Sequence, residues 1–213
     1  MEIKIIYPNF LRNILESEFL RYFYMHFDFD RQLLSLAFRF YSRALSFPYD
    51  ELIHELHYIF REAEKCIESD LDNTIAAKIL DVINFYQGEE MSALHAEYAR
   101  MFSYVREAEP LVPIRLLDIN PGIDQFRLME EINASTNLYG ADDAPDALPN
   151  ILELFSTIIE LDDDHTIEDF FESFLKNSIP SFCEQIFQST NINYYKELAK
   201  GLNEMIYLLR EDS

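Results

Sequence analysis

The stretch DDAPDALPNILELF, residues 142–155, joins a polar loop, a helix start and an apolar helix face. Asp146 suits the N-cap position of a helix. Pro149 falls in the first turn, where the missing N–H of proline is tolerated. The apolar residues that follow recur at helical spacing: Leu148, Ile151, Leu152, Phe155, Ile158 and Ile159. This stretch therefore predicts a helix that packs one face into a core and has carboxylates at its start.

The same helical spacing continues on both sides of this stretch and predicts an all-α bundle. The segment Asp30–Phe47 is apolar on several faces, which is typical of a central helix. Further helices are predicted near residues 11–23, 52–67, 75–88, 91–105, 124–139, 167–175, 182–187 and 195–209. Thr166 and Asp169 resemble a capping box, Ile3–Tyr7 is short enough to be merely extended, and Glu109–Gly122 contains three prolines and predicts a long loop. We expect about nine or ten helices in one domain, residues 1–213.

The charge balance restricts the possible partners. The 213 residues include 17 Lys and Arg but 39 Asp and Glu, so the net charge is −22. Such a chain is poorly suited to nucleic acid or to an anionic membrane, because both require basic side chains. Thirteen acidic residues and no Lys or Arg lie between Leu128 and Leu175. This segment favours a basic, partly apolar peptide as partner, although acidity can also serve solubility alone.

Cysteines and the chain start indicate a reduced compartment. Cys66 and Cys183 lack CxxC spacing, which argues against a disulfide framework and a zinc site. The first residues, MEIKIIYP, lack the features of a signal peptide, and no run of about 18 apolar residues is present. We expect a cytoplasmic protein.

No pattern in the chain predicts catalysis, a metal or a cofactor. Nucleophile-elbow, Walker and dinucleotide-binding motifs are absent from the sequence. His54 and His57 have a spacing that can bind metal, but they border an apolar stripe and are interpreted as surface residues. The run Asp162–His165 is interpreted as a solvated loop, because consecutive residues rarely converge on one ion. We expect a protein that is not an enzyme.

The segment EYARMF, residues 97–102, places Tyr98, Met101 and Phe102 on one helix face before the proline-containing loop. Core packing explains such a face. A methionine with aromatic neighbours can also line an adaptable apolar groove. The sequence leaves both interpretations open.

Four segments together resemble the TorD/DmsD/NarJ family of molybdoenzyme assembly chaperones. They are ALSFPYDEL (residues 44–52), EYARMF (97–102), PDALPNILEL (145–154) and NYYKELA (193–199). The chain departs from TorD-like members at Ala147, where those usually carry His, and this difference favours the NarJ-like branch. Further departures are Phe182, near which many relatives carry a Trp before the proline, and Asn120–Gly122, which matches the family's glycine-containing loop only loosely.

The resemblance implies an assembly role without catalysis. Such a chaperone binds the N-terminal, twin-arginine-like segment of the catalytic subunit of a molybdopterin oxidoreductase. It holds that subunit for cofactor insertion before export or membrane docking. Arginines are expected to pair with carboxylates, and the apolar part of the peptide with a groove. The expected peptide-binding residues are Tyr98, Met101, Phe102, Asp142, Asp143, Pro145, Asp146 and Leu148.

Two questions stay open at the level of sequence. An acidic, all-helical adaptor or regulatory protein unrelated to molybdoenzymes fits the same composition. The chain is expected to be a monomer or a helix-swapped dimer, since long loops permit exchange of helices.

Overall fold

The computed structural model describes residues 31–103, 109–139 and 144–211, and all regular elements in these ranges are helices. The helices are α1 (residues 31–44), α2 (Leu52–Glu64), α3 (Asp70–Gly88), α4 (Met91–Phe102), α5 (Leu116–Ile119), α6 (Gln125–Tyr139), α7 (Leu148–Leu161), α8 (Asp164–Phe170), α9 (Ser178–Ser189) and α10 (Asn193–Glu211). A π-helical turn, Phe171–Leu175, continues α8. The all-α prediction is confirmed. The predicted helix at 11–23 and the stretch Ile3–Tyr7 lie outside the described residues, and the single domain over 1–213 stays a prediction.

Helix α1 is central, as its apolar faces predict. Its core side chains are almost completely buried: Leu33, Leu34, Ala37, Phe38, Phe40 and Tyr41. Phe38 meets Phe155 of α7 edge-to-face at 4.7 Å between ring centroids. On the same side, Ser35 Oγ of α1 lies 3.0 Å from Ser156 Oγ of α7. Helix α1 thus fixes α7, the helix near whose start predicted binding residues such as Asp146 and Leu148 lie.

Helix α10 connects distant parts of the chain through two buried tyrosines. Tyr194 Oη donates to the Ala44 carbonyl at 2.6 Å, and Tyr195 Oη donates to the Leu94 carbonyl at 3.2 Å. Nearly two turns further along α10, Gly201 is buried where a Cβ would lie 2.5 Å from Tyr41 Oη. The NYYKELA segment therefore fastens α10 to the end of α1 and to α4.

The loop predicted over Glu109–Gly122 contains the short helix α5, so that prediction was incomplete. Leu116 and Ile119, three residues apart, are both buried. Asn120 Nδ2, at the end of this turn, donates to Ser178 Oγ at the start of α9 at 3.2 Å. Core contacts therefore induce one helical turn between prolines that otherwise favour a loop.

The predicted capping box at Thr166 is wrong. Helix α8 begins three residues earlier than expected, with Asp163 as N-cap. Asp163 Oδ1 accepts hydrogen bonds from the Thr166 N–H at 2.9 Å and from Thr166 Oγ1 at 3.2 Å. Thr166 is therefore not the N-cap. Its backbone N–H donates to the N-cap residue Asp163, which lies three residues earlier.

Among the described helices, none combines the length and the apolar character needed to cross a bilayer.

Candidate functional site

A connecting segment joins the two sequence segments in which binding residues were predicted. We call this segment, residues 112–116, the strap. The Val112 N–H donates to the Met101 carbonyl at 2.9 Å, at the end of the EYARMF segment. The Leu116 N–H donates to the Asp146 carbonyl and the Leu148 N–H to the Ile114 carbonyl, both at 2.8 Å. The strap therefore places the end of α4 and the start of α7 on either side of one short piece of chain.

Asp146 is buried beside the strap and forms an ion pair with it. Its side chain is only 1% exposed, whereas that of Arg115 is 51% exposed. Arg115 Nε lies 2.9 Å from Asp146 Oδ1 and 3.2 Å from Oδ2. The N–H at Nε is thus shared between both carboxylate oxygens. The carboxylate that was expected to receive a peptide arginine already contacts an arginine of its own chain.

The prediction that Asp146 is the N-cap of α7 is wrong. Ala147 occupies that position, with extended backbone and no side-chain cap hydrogen bond. Asp146 lies one residue earlier, and its carboxylate is directed to Arg115 instead of the first turn of the helix. The predicted position of Pro149 in the first turn is confirmed.

Glu97 and Arg100 of the EYARMF segment serve packing between helices. Arg100 Nε and a terminal nitrogen each donate to the Glu97 carboxylate at 2.7 Å. Thr190 Oγ1 also donates to Glu97, and Arg100 donates to the Ser189 carbonyl. The hydrogen bonds that Glu97 accepts, first those from Arg100 and then that from Thr190, lower the pKa of its carboxyl group. The pair joins α4 to the turn between α9 and α10.

The predicted apolar residues divide into a buried set and an accessible one. Met101 and Leu148 are fully buried and Phe102 is 5% exposed, so these three side chains belong to the core. Phe102 packs on Phe182 and Tyr195, with ring centroids 6.1 and 6.2 Å away. Core packing therefore accounts for them, and Tyr98 is the partly exposed member of the face.

Tyr98 is part of an aromatic surface that the sequence did not reveal. We use that name for Phe47, His95 and Tyr98. The Phe47 ring, 51% exposed, stacks on His95 at 4.9 Å and meets Tyr98 edge-to-face at 5.3 Å. His95 Nε2 donates to the Pro48 carbonyl at 2.9 Å, which fixes its ring beneath Phe47. Helical spacing connects His95 with Tyr98, but only the fold brings Phe47 to them.

Acidic side chains lie next to the aromatic surface along the chain. Asp50 and Glu51 follow Phe47 and are exposed. Glu55 accepts a hydrogen bond from Tyr49 Oη at 2.6 Å. Burial first, and this hydrogen bond second, raise the pKa of Tyr49 to about 12. An exposed aromatic ring that is followed along the chain by carboxylates is suited to a ligand that is both apolar and cationic.

The other predicted residues have separate positions. Pro145 is partly exposed, and Asp142 and Asp143 lie outside the described residues. His54 is exposed, while His57 Nε2 lies 3.0 Å from Gln87 Nε2. Cys66 and Cys183 are both buried free thiols. In the ranges that the structure describes, no three His, Cys, Asp or Glu side chains are grouped so that they could hold a metal ion.

No protein-family model matches the chain, and no curated protein matches it in sequence. Among solved structures, the chain is similar to the crystal structure of a putative redox enzyme maturation protein from Archaeoglobus fulgidus. The TM-score is 0.51, and the match covers 84% of this chain and 93% of that chain. The two chains share a fold. Their sequence identity is 18%, so the likeness concerns the backbone arrangement.

Proposed function

We propose that this protein is an assembly chaperone of the TorD/DmsD/NarJ family. It binds the N-terminal, twin-arginine-like segment of the catalytic subunit of a molybdopterin oxidoreductase. It holds that subunit for cofactor insertion before export or membrane docking, without catalysing a reaction itself. Ala147 in the PDALP segment favours the NarJ-like branch and hence a nitrate-reductase-type client.

The observation that carries this proposal is the likeness of fold to a redox enzyme maturation protein over 84% of the chain. The four sequence segments support it independently, because they resemble the family in the expected order. The strap also links two of these four segments in the structure. It connects the EYARMF segment to the PDALP segment through backbone hydrogen bonds at Met101 and Asp146.

The accessible groups suggest how the peptide binds. Its apolar residues contact the aromatic surface, because Met101, Phe102 and Leu148 are enclosed in the core. Its arginines are attracted by the net charge of −22 and pair with carboxylates, as guanidinium groups prefer. Asp142, Asp143 and Asp146 stay the proposed carboxylates, and Pro145 stays a proposed contact of the peptide.

Calorimetry with synthetic peptides tests the proposal. The peptides are the N-terminal segments of the molybdopterin oxidoreductase catalytic subunits encoded in the same genome, and scrambled versions are the controls. We expect one native segment to bind and its scrambled version to fail. If the chain binds none of them, and its deletion leaves cofactor loading of every molybdoenzyme intact, the proposal is wrong. An acidic adaptor with another role would give that result.

A further inference from the structure

We propose that Arg115 is a specificity-determining residue, because it competes from within the chain for the carboxylate of Asp146. A ligand gains Asp146 only by replacing Arg115 with a cation of its own, and a guanidinium is the cation best suited to do so. This inference rests on the proposed function, since it concerns which peptides the chaperone accepts.

The exposures of the two side chains support the exchange. Asp146 is 1% exposed, so solvent scarcely reaches its carboxylate, whereas Arg115 is 51% exposed. A peptide that approaches from solvent therefore meets Arg115 before it meets Asp146. Burial also excludes a simple departure of Arg115, because an uncompensated buried carboxylate is strongly unfavourable. One cation must be exchanged for another.

The geometry of the ion pair leaves room for a better partner. A single group of Arg115, the N–H at Nε, contacts both oxygens, at 2.9 and 3.2 Å. A guanidinium that donates two parallel N–H groups, one to each oxygen, binds a carboxylate more strongly than one shared N–H. The ammonium group of lysine is a compact point charge and cannot present such a fork. The exchange therefore favours arginine over lysine in the ligand.

The backbone around Arg115 allows the exchange without unfolding. Hydrogen bonds on both sides of it, from Leu116 N to the Asp146 carbonyl and from Leu148 N to the Ile114 carbonyl, hold the strap. These bonds do not involve the Arg115 side chain. The strap therefore stays paired with the start of α7 when the Arg115 side chain leaves the carboxylate.

The test compares two peptides on the full-length chain and three variants. The probes are a synthetic twin-arginine leader peptide and the same peptide with both arginines replaced by lysines. Arg115→Lys keeps a cation on Asp146 but weakens its hold, and Arg115→Gln removes the cation. We expect Arg115→Lys to bind the twin-arginine peptide about three- to tenfold more tightly than the wild type, because less of the protein is in the self-occupied state. Asp146→Asn should bind it more weakly and lose the preference for arginine over lysine.

Thermal melts accompany the titrations, so that an unstable variant is recognised. If Arg115→Gln fails to fold, Arg115→Lys decides the matter alone. Equal or weaker binding by a folded Arg115→Lys variant overturns this inference, while binding by the wild type still supports the proposed function. An Asp146→Asn variant that keeps the arginine preference overturns it as well. If neither the wild type nor any variant binds a leader peptide, the proposed function fails and this inference fails with it.

Discussion

Glu97 illustrates, at the scale of one residue, how a segment in which binding residues were predicted stabilises the fold. Its side chain is 13% exposed and accepts hydrogen bonds from Arg100 and Thr190. Because these bonds lower the pKa of Glu97 in the folded state, its stabilising effect is complete above the unfolded value of about 4.3. That effect is lost as the pH falls through the lower, folded pKa.

We therefore expect Glu97→Gln to lower the free energy of unfolding by about 1 to 3 kcal/mol near neutral pH. The difference from the wild type should shrink as the pH falls through the lowered, folded pKa of Glu97, because the wild-type side chain then loses its charge as well. Urea unfolding at a series of pH values measures this difference. Glu172→Gln is the matched control, since Glu172 pairs with Lys176 on the exposed face of one helical segment. A difference for Glu97→Gln that is constant with pH would contradict the assigned role of its charge.

The aromatic surface gives a prediction for a single ring. Phe47→Ala should weaken leader-peptide binding about fivefold, because the ring is 51% exposed and provides apolar contact area. Tyr58→Ala is the control, since Tyr58 is 65% exposed on α2 and is not part of the aromatic surface. Calorimetry with the native peptide compares the two variants. Equal losses in both, or none in Phe47→Ala, would remove the aromatic surface from the proposed site.

Asp146 shows which part of the site the sequence can predict. Its residue type and its place before an apolar helix are visible in the segment PDALP, and these led to both the binding and the N-cap predictions. Its partner is Arg115, which lies 31 residues earlier in the chain. No local pattern indicates that contact, because it depends on the antiparallel pairing of Arg115 with Ala147. The local sequence thus indicated where the carboxylate lies, whereas tertiary structure determined that it pairs with Arg115.

At the scale of elements, strong apolar periodicity predicted helices well and their ends poorly. Nine of the α-helices correspond to predicted segments, since a buried face of several turns leaves a clear spacing. Helix α5, Leu116–Ile119, has a single turn and leaves none. The start of α8 was misplaced because Asp163, Asp164 and Thr166 are all acceptable at a helix start, so that the sequence allows several caps.

The contact between α1 and α10 gives a prediction about how closely two elements pack. Gly201→Ala should destabilise the protein by about 1 to 3 kcal/mol, although alanine favours a helix. The added Cβ would lie 2.5 Å from Tyr41 Oη, on a buried side chain with little freedom to move. Thermal unfolding measures the effect.

Two further variants make this explanation specific. Gly88→Ala, where no atom lies within 4 Å of the added Cβ, should change stability by less than about 0.5 kcal/mol. Tyr41→Phe should suppress much of the effect of Gly201→Ala, since it removes the hydroxyl and leaves Tyr41 Cζ at 3.4 Å. If the double variant is as unstable as the sum of the single ones, the hydroxyl is not the cause.

At the scale of the whole molecule, the excess of 39 acidic over 17 basic residues should govern how fast a leader peptide is captured. Raising the salt concentration from about 0.01 M to about 0.15 M shortens the screening length from about 30 Å to about 8 Å. We expect the association rate constant to fall about tenfold or more, because long-range attraction is screened before contact. The dissociation rate constant should change less than about twofold, since the proposed contacts with the aromatic surface are apolar and close. Stopped-flow fluorescence with a labelled peptide measures both constants, and a peptide with its arginines replaced by glutamines is the control. A salt effect found mainly in dissociation would mean that close ion pairs, rather than the net charge of the molecule, control binding.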